Sequence, residues 1–418
     1  MKALLAAALA GCAPAIVWSG GSADRRLRAE VRSARGEQWV RVAGSDGPRF
    51  EAIATGGITF SADGRRFAYP AQRHGRWLMV VDGTPAGDWD GVAEPAFSAD
   101  GSRIAWLAES GGRWRPVVDG IDGKGYEAIA AGSLCFSGDG RHVGFVALTG
   151  SCAAIVVDGV EGGCHEAVAG LRLVAGGAAA VVRDGGRVHL LRGSATGPGW
   201  DAIGDWLVTP DGAREAYAAL ANGRWYPVID GAAGPAADAV RQWRFGDGGR
   251  RVAFVAVEGS SARVVIDGVK GPGFAAIRHL ALADRAPTFA YSAEDERGAW
   301  VVIDGERQGR FAAVLDLALS SDGRRAAFVA RRSGHTFVVH DGREVPLDAV
   351  IEGTLVLSPD GEHWAVVQAD AEKRRFQVSI DGRPAAPVAA DDVLVGPDLR
   401  PFVSRELDEA FAAAGSMR

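Results

Sequence analysis

The chain has 418 residues, room for two or three ordinary domains or one large repetitive one. Glycine accounts for 58 of them without a collagen period, and 47% of the residues are hydrophobic, so a fibrous or disordered chain is excluded. A formal net charge of −6 leaves no basic footprint for nucleic acid, and solubility is a sufficient reason for it.

At the N-terminus, Met1-Lys2 is a minimal basic start and residues 3–10 (ALLAAALA) are a short apolar run. The run is far below the ~20 residues that span a bilayer, but it suits the core of a signal peptide over residues 1–11. Leu9-Ala10-Gly11-Cys12 follows at once and resembles the bacterial lipobox. That resemblance implies acylation of Cys12, a lipidated tether over 12–25, and a lipoprotein in the periplasm or at the outer membrane. Its only membrane contact would be the lipid anchor. Cleavage after Ala13-Pro14-Ala15, giving a secreted soluble protein, is the alternative. No later stretch approaches 18 uninterrupted apolar residues.

Residues 26–404 are repetitive. A turn signature recurs as FSADG at 60–64 and 97–101, FSGDG at 136–140, VTPDG at 208–212, LSSDG at 319–323 and LSPDG at 357–361, with weaker copies at 245–249 and 282–286. Between these lie VVDG or VIDG segments ending at Gly83, Gly120, Gly159, Gly231, Gly268 and Gly305, and variants ending at Gly44, Gly193, Gly342 and Gly382. The glycines are spaced close to 37 residues apart. Residues 95–131 show the content of one period. PAFS is a short strand, ADGS a tight turn, RIAWLAE a period-two strand, RWRPVVD a third strand, and YEAIAA a fourth. Four strands in about 37 residues is the size of one propeller blade.

Each strand type also repeats its large side chains. The second carries Tyr69, Trp106, Phe145, Tyr217, Phe254, Tyr291 and Phe328. The third opens with residues such as Trp77, Trp114 and Trp225, and the fourth with Phe50, Trp89, Tyr126, Trp200, Phe274 and Phe311, usually followed by an acidic or small residue. Packing between neighbouring blades explains this recurrence better than a ligand-stacking platform, since one blade cannot bury its faces alone.

These motifs resemble the WD-like repeats of the TolB-type propeller family, whose hallmark is a Ser-x-Asp-Gly turn followed by a strand. The resemblance is specific for fold and weak for function, because such propellers serve as scaffolds, periplasmic partners and enzyme appendages. The expected fold is all-β, a propeller of about ten four-stranded blades. Residues 26–59 would supply the later strands of a terminal blade and 393–404 its missing first strand, so that both chain ends close it. Two smaller propellers meeting near the degenerate copy at 174–207 are the alternative. Residues 405–418 form a tail, with a short helix in ELDEAFAAA at 406–414.

Three cysteines follow Cys12. Export permits a disulfide, and Cys152 with Cys164 is the nearest pair, while buried or idle thiols are the other reading. The cysteine and histidine spacings predict no metal site and no cofactor. No GxSxG elbow or GxxxxGK loop occurs, so the chain is read as a non-catalytic binder rather than an enzyme. The turns between first and second strands are monotonous, whereas the second-to-third loops are expected to vary in length and charge. Binding is therefore assigned to those loops, at Arg73, His74, Arg76, Glu294, Asp295, Glu296, Arg331, Arg332, His335, Lys373 and Arg374, facing a protein or other envelope component. A small-ligand or glycan binder, or a cryptic hydrolase using a central channel, is the alternative.

Overall fold

The computed structural model describes residues 15–22, 27–175, 177–358, 360–370 and 375–388. They form ten antiparallel sheets in chain order, here numbered 1 to 10, each built on four strand positions. The fold is an all-β propeller. Sheet 3 is representative, with strands Gly91–Phe97, Ile104–Ser110, Arg113–Val118 and Ile121–Asp122 paired in that order. The second strand lies inside the sheet with both faces covered, and its first five residues are buried. The turn after the third strand places Asp119 and Gly120 at φ 50° and 83°. That is the two-residue left-handed geometry which Asp-Gly adopts at little cost.

Three expectations need correction. The run read as a fourth strand is divided between two sheets: Tyr126 bridges Trp114 of sheet 3, while Ala128 and Ile129 pair with Leu148 and Ala147 of sheet 4. The chain therefore changes sheet at the acidic residue between them. The first strand is correspondingly longer than PAFS and carries a β-bulge, between Ala93 and Ala96 in sheet 3. In sheet 1 the first position is filled by Ala15–Gly21, which pairs with Arg28–Ala34 from Ala15↔Ser33 to Gly21↔Arg28. Residues 15–21 are a strand and not tether, and they hold the place that 393–404 was expected to fill. Cys12, residues 393–404 and the tail lie outside the described residues.

The chain divides into two compact units, one of residues 1–186 with 190–196 and the other of 187–189 with 197–418. The division falls within sheet 5, the degenerate copy. Inside each unit, every apolar cluster joins two consecutive sheets. Tyr69, Phe50, Val31 and Val80 bring sheets 1 and 2 together, and Phe311, Phe328, Phe337 and Val301 do so for sheets 8 and 9. The ring that ends one sheet meets the second-strand ring of the next edge to face, as in Tyr126–Phe145 at 5.5 Å and Phe311–Phe328 at 5.4 Å. Such pairs add roughly 0.5–1.5 kcal/mol each beyond their buried area.

Candidate functional site

Antiparallel order puts the first-to-second and third-to-fourth turns at one end of a sheet and the second-to-third hairpin at the other. At the turn end the polar groups serve the fold. In sheet 3, Ser98 Oγ donates to Asp100 at 2.5 Å and accepts from the Arg103 amide at 2.9 Å. The Ser98 hydroxyl and the Ser102 amide hold the Asp100 carboxyl well below the usual range, at about 2. Arg103 then donates to Asp119, the aspartate of the third-to-fourth turn, at 2.8 Å and reaches forward to the Gly140 carbonyl of sheet 4 at 3.0 Å. Arg66 and Arg214 repeat this clamp on the carbonyls of Gly101 and Gly249. The hallmark is thus Ser/Thr-x-Asp-Gly-x-Arg/His. Its last residue was overlooked, although it stands two places after the glycine in six copies.

The hairpin end is more regular than expected. In sheets 1 to 9 the second-to-third connection is two residues long, as at His74–Gly75, Glu296–Arg297 and Ser333–Gly334, because strand pairing runs to its last residue. The expected variation in length is absent there. Two devices tie this end down. The acidic residue after the one that ends a sheet, a ring in most copies and Ala237 in sheet 6, caps the next hairpin: Glu51 accepts from the amides of His74 and Gly75, Asp90 from Gly111, Glu127 from Gly150, Glu166 from Gly185, Asp201 from Asn222 and Asp238 from Gly259. The Gly75 and His74 amides lower the pKa of Glu51 accordingly.

The second device joins the first residue of the third strand to the residue twelve places on. It is an ion pair in Glu37–Arg49 at 3.3 Å and in Arg76–Asp88 at 2.9 Å. In sheets 3, 5 and 6, Arg113, Arg187 and Arg224 donate to the carbonyls of Gly125, Gly199 and Ala236. In sheet 4 the same two positions are Cys152 and Cys164, joined as a disulfide with Cα atoms 5.2 Å apart. Cys135 is a free thiol whose pKa burial raises to about 11.

Of the eleven candidate side chains, several are engaged within the sheet. Arg73 lies 4.9 Å over the Phe50 ring, Arg76 binds Asp88 and Asp90, and Glu294 binds Arg278. Asp295 is 3.6 Å from Arg307, and Arg332 is 2.8 Å from Glu344. The His74 amide is taken by Glu51. Lys373 and Arg374 lie outside the described residues. Glu296, Arg331 and His335 remain, exposed at the tips of sheets 8 and 9. Their hairpins also lack the cap supplied from the preceding sheet's end, since Ala275 and Ala312 stand where sheets 2 to 7 have Glu or Asp, and in sheet 8 Asp295 accepts from the Arg297 amide at 2.8 Å instead. The sequence carried that signal as Phe-Ala in place of ring-then-acid.

Beside these tips, a hollow of about 610 Å³ opens between sheets 9 and 10, lined by Arg332, His335, Glu344, Asp348, Gln368 and Gln377 among others. Gln368 is buried and accepts from Ser379 Oγ at 2.8 Å. A second groove, of about 490 Å³, lies between sheets 6 and 7 over Pro227, Ile229 and Phe254. It opens because the fourth strand of sheet 6 is only Ala232–Ala233. Gly234 then turns back, its amide bonded to the Pro227 carbonyl at 2.7 Å. Among the described residues no group of three His, Cys, Asp or Glu side chains is placed to hold a metal ion.

No protein-family model and no curated protein matches the sequence. Among solved structures, the chain is similar to one described as the crystal structure of the eukaryotic initiation factor. Identity is 12% over 86% of this chain and 94% of that one, with a TM-score of 0.43. It is also similar to the β-propeller domain of the Trilobed protease from Pyrococcus furiosus, which is described as having an open velcro topology. There identity is 11% over 61% of this chain and 94% of that one, with a TM-score of 0.29.

Proposed function

We propose that the chain is a non-catalytic binding propeller of the bacterial cell envelope, similar to the TolB-type scaffolds and acylated at Cys12. On this reading it recognises a protein partner through the hairpin tips of sheets 8 and 9. One observation carries the assignment: these two sheets lack the acidic cap that the preceding sheet's end supplies in sheets 2 to 7, and their tips present Glu296, Arg331 and His335 without a side-chain partner among the described residues. Charges released from the scaffold's own bonding are free to be neutralised by another surface, which sets orientation and association rate. The mixture of signs fits a protein better than a polyanion. The adjoining hollow, with an imidazole, two amides and the Asp348 carboxylate, which has no partner among the described residues, favours a small polar ligand as the second reading. The test uses the mature protein as bait in envelope extracts beside Glu296→Lys and Arg331→Glu. Both reversals should lose the captured partner while the melting temperature stays that of the wild type. Undiminished capture by both variants refutes the assignment.

A further inference from the structure

We propose that the hairpin end of sheet 1 lies against the bilayer surface, so that the first two sheets meet the membrane in a fixed orientation. This rests on the acylated Cys12 of the preceding section and goes beyond it, because an acyl anchor alone leaves orientation open.

The argument starts from register. Ala15 pairs with Ser33, one residue before the end of the second strand, while Gly21 pairs with Arg28 at the far end. The N-terminus of the first strand is therefore beside the Arg35–Gly36 hairpin and away from the turn at Ala43–Gly44. Two residues separate Cys12 from Ala15, so the three steps between them reach about 10 Å even when fully extended. A lipid on Cys12 thus holds this end of the sheet within about one headgroup layer of the hydrocarbon.

The surface at that end suits such a position. A β-bulge between Ile16 and Trp18 breaks the register, and Ile16 and Val17 are 56% and 50% exposed. Both are among the few large apolar side chains left uncovered in the described residues, while Trp18 turns inward onto the cluster of Tyr69 and Phe50. At the hairpin end, Arg35 at the tip of sheet 1 and Arg73, over the Phe50 ring at the end of the second strand of sheet 2, meet no carboxylate among the described residues. The acidic groups of the same end are already engaged: Glu37 by Arg49, and Glu51 by the His74 and Gly75 amides. Apolar side chains and unpaired arginines at one end are the composition that settles at an anionic lipid surface.

The experiment uses the full chain, made in a host that processes lipoproteins and reconstituted into vesicles of phosphatidylethanolamine and phosphatidylglycerol. In a Cys135→Ser background, one fluorophore is attached at Ala34→Cys, on the hairpin end, and another at Ser45→Cys, on the opposite end of the same sheet. Quencher carried on lipid headgroups should quench the first label and spare the second. Equal quenching, or the reverse order, overturns the proposal. The mass of the N-terminal peptide is read on the same samples. A missing acyl mass on Cys12 refutes the anchor, and this proposal with it, whereas an acylated chain with an unquenched Ala34 label refutes the orientation alone. As a second measurement, Ile16→Ser/Val17→Ser in the unacylated Cys12→Ala chain should lower partition onto the same vesicles about tenfold. Unchanged partition counts against the surface.

Discussion

Sheet 4 offers a direct exchange of one cross-strand tie for another. Cys152 and Cys164 occupy the pair of positions that Arg76 and Asp88 occupy in sheet 2, twelve residues apart in each case. A disulfide closing a loop of that length stabilises by about 3 kcal/mol in the chain-entropy account. An ion pair as exposed as Arg76–Asp88, screened by solvent, contributes far less. Cys152→Ser/Cys164→Ser should therefore lose about 3 kcal/mol, and Cys152→Arg/Cys164→Asp, which transplants the tie of sheet 2, should recover only a small part of that loss. Hydrogen exchange of the fourth-strand segment Val160–His165 reads the effect locally, where the double-serine variant should exchange up to roughly a hundredfold faster than the oxidised wild type. Added dithiol should accelerate the wild type to the rate of the double-serine variant and leave the Arg/Asp variant unchanged. A wild type that ignores dithiol, or a double-serine variant as protected as the oxidised protein, would show that the tie does not hold this strand.

Two further outcomes follow from the turns and the first strand. The aspartates of the Ser/Thr-x-Asp-Gly turns (63, 100, 139, 211, 322 and 360) all have depressed pKa values, with the neighbouring hydroxyl as the main cause. A depressed pKa contributes stability that is full above the unfolded value of 3.8 and is lost as pH falls toward the folded one, about 2 for Asp100. Acid unfolding should therefore be concentrated between these limits, and Ser98→Ala should make stability less steep in pH there, as followed by circular dichroism. Secondly, a chain cut after Asp392 keeps every described pairing of sheet 1, whereas deleting residues 15–21 bares the edge of its second strand. Only the second deletion should lower the melting temperature and promote aggregation, and the opposite result would return the closing role to 393–404.

The period, the strand count and the Asp-Gly turns were legible because each is a local pattern repeated many times. Where a period begins and ends was not. In Tyr126-Glu127-Ala128 the ring closes one sheet and the alanine opens the next, a division that depends on pairing partners some 12 and 20 residues away. The first strand of sheet 1 was read as tether because the Ser22-Ala23-Asp24 that follows AIVWSGG lacks the glycine of the hallmark, although Ser22 bonds Leu27 as Ser61 bonds Arg66. The hairpins looked variable because their residue types differ. Their common length is set by backbone pairing, to which His74, Asn222 and Ser333 conform equally with left-handed φ near 50°. The loss of the preceding-sheet cap in sheets 8 and 9 was visible only as Phe-Ala, which acquires meaning once Glu51 and its counterparts are known to be caps.

The forward reach of the clamp arginine gives the chain a grammar of its own. Arg66 completes a turn that belongs to the next sheet, and Arg103 does the same one period later. The self-contained word is therefore the stretch that runs between two clamp residues, and not the sheet. Excising residues 67–103, one period of 37, would join Arg66 to Ile104, next to Asp119 and the turn at Gly140, where Arg103 now stands. Every bond type would survive with one term fewer. A molecule written this way can lengthen or shorten by whole words through slippage of its gene, and selection can then edit a single hairpin tip without disturbing the syntax that folds it.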